Sequence, residues 1–238
     1  MYNFTENCEP VCIVREKNYN SISKGLIKLF NDMGLTGENP LSKIIKPGDT
    51  VLIKPNLVRD YTSGDFEALV TNGKLIIAIV KFVKMALGGT GRIVLGDSPV
   101  QDSDFEKTLK KLGIDSLEAI DFRREIVKKD KIGIFQKKKL VRKEDDYVAV
   151  DLKEKSELMK IIKHSRKFRI TQYDDRAMKI HHNNNNNEYL IPKCVLDADV
   201  VINIPKLKTH RKAGITCALK NLVGLNGDKS WLPHHRAG

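Results

Sequence analysis

Two hydrophobic rhythms alternate along the first half of the chain. Val11 to Arg15 (VCIVR) has the β-branched content of a short strand, and Ser21 stands as an N-cap before an amphipathic stretch reaching Phe30. Pro47-Gly48-Asp49 is a turn that feeds the run TVLIKPNLV. Its strand should stop near Lys54, because the residue before a proline is pushed toward extended or turn geometry. Leu75 to Leu87 (LIIAIVKFVKMAL) has the length and apolar content of a buried helix, with Thr71 or Asn72 to cap it and Gly88-Gly89 to end it. RIVLGDSP then reads as a strand closing on Gly96 to Pro99. Ser103 to Glu106 is a capping-box pattern opening a helix toward Leu112, and Leu117 to Phe122 is a further strand. This β-α-β-α-β order predicts an α/β fold, with a mainly parallel open sheet and helices on both faces.

The rhythm breaks over residues 123–190. Short strand-like pieces (Tyr147 to Val150, Phe168 to Thr171) and a helical stretch from Glu157 to His164 precede the tract Asn183 to Asn187, which reads as a low-complexity loop of variable length. The apolar run then returns in ADVVINIP, apolar on both faces as a central parallel strand should be. Beyond Pro205 the polar residues are basic, amide or hydroxyl, threaded through glycines and a helical stretch from about Ile215 to Leu222. One α/β domain over residues 1–238, carrying a basic insertion over about 123–190, accounts for this pattern.

Charge refines the picture. The formal net charge is +12, and residues 123–169 hold 17 Lys+Arg against 8 Asp+Glu, so most of the excess is local. Few aromatics interleave with those basic residues, as stacking on single-stranded nucleic acid would require. A solvated surface insertion is therefore favoured over a nucleic-acid or polyanion surface. No apolar run approaches the roughly 20 residues of a membrane helix, and the N-terminus lacks the pattern of a signal peptide. The four cysteines are too few and scattered for a disulfide framework. The chain thus reads as soluble and cytoplasmic, with no membrane partner.

Three strands end in short polar signatures: Lys54-Pro55-Asn56, Gly96-Asp97-Ser98-Pro99, and Pro205 through Lys206, Lys208 and Thr209 to His210. In open parallel sheets, ligands bind outside the carboxyl ends of the strands, so these signatures are expected to converge there. Lys54, Lys206, Lys208, Arg211, Lys212 and Lys220 supply cationic donors. Asn56, Ser98, Thr209, Thr216 and Asn221 add polar ones, and Gly214 to Thr216 opening a helix would aim backbone amides at an anion. A phosphate- or carboxylate-bearing small molecule suits this set. Asp97 is a candidate general base, metal ligand or ion-pair partner, and His210 is the best candidate for proton transfer. Asp97, His210, His234 and His235 are weak metal candidates, since no regular ligand spacing is present. The adjacent pair His181 and His182 would point apart on a strand. The GxGxxG and Walker patterns are absent from the sequence, as is the G-x-S-x-G elbow.

The run from Ala198 to His210, then Thr216 to Gly224, resembles the signature of the domain of unknown function 362 family. Ile53 to Leu57 and Val94 to Pro99 match that family in the same order. The resemblance runs from about Val51 to the end, with Arg123 to Asn187 outside any motif. It implies no settled reaction and no known cofactor. Many members carry a ferredoxin-like module with clustered cysteines, so it also implies an alternative: a redox protein whose iron–sulfur cluster lies in missing sequence or on a ferredoxin-type partner. This chain has no such cluster, and its end at Arg236 to Gly238 reads as that of an N-terminal fragment of a longer member.

Overall fold

The computed structural model describes residues 11–60, 66–129, 135–139, 142–170, 173–210 and 213–237. Its strands in chain order are β1 (Thr50–Pro55), β2 (Arg92–Asp97), β3 (Ala119–Asp121), β4 (Glu125–Lys129), β5 (Phe135–Lys139) and β6 (Tyr147–Asp151). They continue as β7 (Phe168–Arg169), β8 (Glu188–Pro192), β9 (Val200–Ile204), β10 (Lys208–His210), β11 (Gly214–Thr216) and β12 (His235–Arg236). The α-helices are α1 (Ile22–Asp32), α2 (Phe66–Leu69), α3 (Gly73–Leu87), α4 (Phe105–Leu112), α5 (Asp175–His181), α6 (Lys193–Leu196) and α7 (Ala218–Asn221).

Four strands form an all-parallel sheet in the order β3-β2-β1-β9, so the α/β reading holds. Side chains alternate along β1: Val51 and Ile53 enter one core with α1, α3 and α4, while Leu52 enters a second with Val94, Phe122 and Val195. The long helices cover the first face. The second is closed by α6, by Ile191 of β8 and by Leu225. α3 is capped as a helix of that sequence should be: Asn72 Oδ1 accepts from Lys74 N at 2.9 Å, and Gly88 ends it at φ 61°.

The chain leaves β1 toward β2 and β3, then returns to β9 on the other side of β1. That reversal is the switch point, and its crevice opens at the carboxyl ends of β1 and β9. Thr71 ties those ends together, because its Oγ1 donates to Ile204 O at 2.7 Å and accepts from Asn56 N at 2.9 Å.

Several expectations need correction. Residues 11–16 pair with no strand among the described residues, and Val11 and Ile13 are 86% and 85% exposed. β-branched content makes a backbone extended but supplies no partner edge. β9 lies at the edge of the sheet rather than its centre, with Val201 42% exposed. Helix α4 is capped by Asp104, not Ser103; Ser103 Oγ instead accepts from Asp60 N. Ser21 holds the N-cap position of α1, but its hydroxyl donates to Glu16 Oε2 at 2.6 Å and caps nothing.

The asparagine tract is an ordered turn. Asn183 Oδ1 accepts from Asn185 N and Asn186 N, and buried Asn187 starts the return into β8, which pairs antiparallel with β6. His181 and His182 have separate partners: His181 stacks on Trp231 and bonds Glu188, whereas His182 is buried against Tyr189, and burial pulls it down to about 4. Among the described residues no helix is long and apolar enough to cross a membrane.

Candidate functional site

Lys54 is the next-to-last residue of β1 and is fully buried, and an ammonium there must be matched to be tolerated. Its Nζ meets Asp97 Oδ1 at 2.7 Å, Pro55 O at 2.7 Å and Asn221 Oδ1 at 3.2 Å, so all three donors are used. Asp97, at the end of β2, is held from both oxygens: Oδ1 also accepts from Ser98 N at 2.9 Å and Oδ2 from Leu57 N at 2.7 Å. Asn221 closes the frame, since its Nδ2 donates to Lys54 O and to Asn203 Oδ1 while its Oδ1 accepts from Asn56 Nδ2. The strand ends of β1, β2 and β9 are thereby joined by one buried polar network.

Gly224 is required where the network meets the C-terminal segment. A Cβ there would lie 2.0 Å from Asp97 Oδ1 and 2.8 Å from Lys54 Nζ. Ser98 N also donates to Gly224 O, which pins this turn against β2. Val58, just past β1, holds φ at 37°, a conformation that costs a β-branched residue on the order of 1–3 kcal/mol and is kept only where surroundings enforce it.

Above this frame lies a cavity of about 360 Å3. It is lined by Asn56, Asp97, Ser98, Lys208, His210, Thr216, Lys220, Asn221 and His234 from among the residues singled out in the sequence. Lys54 lies beneath the wall rather than in it. Lys206, Thr209 and His235 do not line it either. For Thr209 the reason is strand alternation: Lys208 and His210 face the cavity, so Thr209 between them turns away. Arg211 and Lys212 lie outside the described residues.

Gly214 to Thr216 does not open a helix. It is β11, paired antiparallel with β10 through Lys208↔Thr216, Thr209↔Ile215 and His210↔Gly214. Gly214 at φ 70° takes the left-handed backbone that the tight return requires. This part of the cavity is therefore lined by side chains, without a row of helix amides.

Three lysines line the cavity, and none pairs with a carboxylate among the described residues. Lys208 Nζ donates to Asn56 Oδ1 at 3.0 Å and to Leu69 O, and burial lowers its pKa to about 8 against the opposing pull of Asp97. Burial lowers Lys220 as well. Lys229 is half-buried, its Nζ donates to Pro99 O at 2.7 Å and to Ser98 O, and burial lowers its pKa to about 7. Two hydroxyls on the same wall, Ser98 Oγ and Thr216 Oγ1, are buried with no hydrogen-bond partner among the described residues. His210 Nδ1 accepts from Ala213 N at 3.1 Å, which assigns the proton of the neutral ring to Nε2. Among the described residues, no group of three or more His, Cys, Asp or Glu side chains is arranged to hold a metal ion.

The sequence reading missed Lys229, which looks like an ordinary surface turn in Gly227-Asp228-Lys229-Ser230. It also missed Ile170 and Tyr173 of the insertion, which supply part of the wall with Val58, Val100 and Leu232. Burial pushes Tyr173 up to about 12. The insertion is thus part of the site. A broader depression of about 640 Å3, lined by Ser165, Arg166, Lys179 and His182 to Asn185, draws on the insertion alone and lacks this convergence of strand ends.

No solved structure matches the chain. The chain is 26% identical over 218 residues to the thylakoid-associated protein sll1697 of Synechocystis sp. (strain ATCC 27184 / PCC 6803 / Kazusa), a match that covers 91% of this chain and 50% of the relative. The chain therefore spans about half the length of that relative. A family model matches residues 51–152 and 148–238, the same extent from Val51 onward that the resemblance implies, including the motif-free stretch Arg123 to Asn187. On that match, which takes in every strand end of the site, the chain belongs to the family described as Domain of unknown function (DUF362).

Proposed function

We propose that the cavity at the carboxyl edge of the sheet binds an anionic small molecule bearing a phosphate or carboxylate group. The observation that carries this reading is the wall itself: three desolvated lysines face the same space as two buried hydroxyls, and among the described residues the lysines have no carboxylate partner and the hydroxyls no hydrogen-bond partner. Buried polar groups in a folded protein are nearly always matched, so this wall is the complement of an acceptor-rich ligand. Among the described residues Asp97 supplies the one carboxylate lining the cavity, and it already accepts from Lys54, Ser98 N and Leu57 N. In this reading Asp97 and Lys54 are the frame, Lys208, Lys220, Ser98 and Thr216 hold the anion, and His210 offers its Nε2–H to it as a hydrogen-bond donor.

A thermal-shift series with inorganic phosphate and with citrate tests it. A ligand that binds only the folded state raises Tm with concentration. The rise should be lost in Ser98→Ala and in Lys220→Met, variants that leave the Lys54–Asp97 frame intact. A shift of equal size in these variants and in the unsubstituted chain would overturn the reading.

A further inference from the structure

We infer that Lys229 is an amine nucleophile, and that the anionic ligand bears an aldehyde or ketone which Lys229 captures as an imine. The inference rests on the anion-binding reading and names its substrate class. The geometry supports it in three ways. Lys229 lines the cavity, and its Nζ is held by two backbone carbonyls, Ser98 O and Pro99 O, from the loop that follows β2. A neutral amine has two N–H donors and one lone pair, so two carbonyl acceptors satisfy it completely and leave the lone pair for reaction. An ammonium in the same place has a third N–H, for which the described residues show no partner. The unpartnered hydroxyl of Ser98 stands on the same wall, suited to donate to the oxygen of a carbinolamine.

The charged surroundings agree. Asp97, Lys54, Arg123 and Lys220 are the charged groups acting on Lys229, with Asp97 favouring its protonated form and the three cations opposing it. Asp97 is paired with Lys54, and Asp228 beside Lys229 is paired with Arg124. Burial is the dominant influence and favours the neutral amine. A desolvated lysine next to other cations is the arrangement that activates amines toward carbonyl carbon.

The step balances without any redox partner. The Nζ lone pair attacks the carbonyl carbon and forms the C–N bond as the C=O π pair moves to oxygen. A proton passes from nitrogen to that oxygen, a second proton taken up from solvent turns the carbinolamine hydroxyl into water, and that water leaves as the C=N bond forms, which gives a positively charged iminium. The positive iminium sits where a carboxylate or phosphate on the same ligand, held by Lys220 and Thr216, keeps the site neutral.

Reductive trapping tests the inference on the whole chain. The protein is incubated with glyoxylate, an aldehyde that carries a carboxylate, and with cyanoborohydride, which reduces an imine to a stable secondary amine. Peptide mapping then compares carboxymethylation of Lys229 with that of the exposed Lys24 and Lys163. An unperturbed lysine with pKa near 10.4 is only about one part in a thousand neutral at pH 7.4. Lys229 should therefore be labelled at least tenfold faster, at a rate that levels off above about pH 7. Saturating inorganic phosphate should suppress labelling at Lys229 and leave the exposed lysines unchanged. Ser98→Ala should slow Lys229 labelling severalfold while the chain stays folded.

Labelling of Lys229 at the rate of the exposed lysines, or labelling insensitive to phosphate, overturns the inference. If phosphate still raises Tm while Lys229 stays unlabelled, the amine chemistry fails and anion binding survives. If neither response is seen, both fail together.

Discussion

At the scale of single residues, the site is a contrast between cations that are matched and cations that are not. Lys54 is matched on every donor, and Gly224 is the space that makes the match fit. Gly224→Ala drives a methyl into the Lys54–Asp97 pair, and breaking a buried pair costs about 3–5 kcal/mol. We expect chemical denaturation to show a loss of that order, together with disappearance of the phosphate-induced rise in Tm. Lys208 is the opposite case. Burial has already weakened its charge, so Lys208→Met should leave denaturation stability within about 1 kcal/mol of the unsubstituted chain. Phosphate affinity, read by calorimetry, should fall at least tenfold; a large stability loss with affinity unchanged would make Lys208 structural. Lys54, Asn56, Asp97 and Lys208 were legible in the sequence because each stands in a polar signature where an apolar run stops. Lys229 was not, because its burial depends on packing against Ser98 and Pro99, more than 100 residues away in sequence.

At the scale of elements, the loops after the strands need their own supports. Arg123 opens the stretch that looked like solvated basic surface, yet it is 2% exposed. Its guanidinium pairs with Asp121 and donates to Val100 O at 2.7 Å and Ser103 O at 2.9 Å, holding the loop after β2 in shape. A planar fork with five donors suits several acceptors in fixed directions, which a lysine cannot reproduce. Arg123→Lys and Arg123→Met should each lose stability in urea titrations, by about 3 kcal/mol for Met, and both should weaken phosphate binding through the displaced Ser98 wall. A variant with unchanged midpoint would remove Arg123 from the support of the site. The β1, α3, β2, α4 and β3 elements were readable because helical and strand periods are local properties of sequence. The helical stretch expected from about Ile215 to Leu222 forms only from Ala218 as α7, while Gly214 to Thr216 is β11; a positive φ at Gly214 favours the hairpin there, and periodicity does not register it. The edge position of β9 was equally hidden, since strand order follows from connection handedness and packing.

At the scale of the whole molecule, composition alone points at polyanions, but position matters more than total charge. The basic excess lies mostly in residues 123–169, whereas the lysines of the cavity come from the C-terminal segment, where few carboxylates accompany them. Without a ligand those amines oppose folding, and the pH dependence of stability follows with a definite sign. Lys208 and Lys229 have folded-state pKa values of about 8 and about 7, below the ordinary lysine value of 10.5 that the unfolded chain would show. Between about pH 7 and 10 the unfolded state therefore binds more protons than the folded state, so unfolding free energy rises with pH. The penalty is present below the folded values and is relieved as pH rises through them, with solvent screening reducing the share of half-exposed Lys208. Phosphate reverses the preference, because it binds the protonated amines. Urea titrations of the ligand-free chain should accordingly show stability increasing from pH 7 to 9, and saturating phosphate should flatten that slope while its affinity falls over the same range. A ligand-free stability that is flat or declining from pH 7 to 9, in a chain still folded at both ends, would mean that these lysines lie in solvent and that the cavity carries no stored positive charge for an anion to relieve.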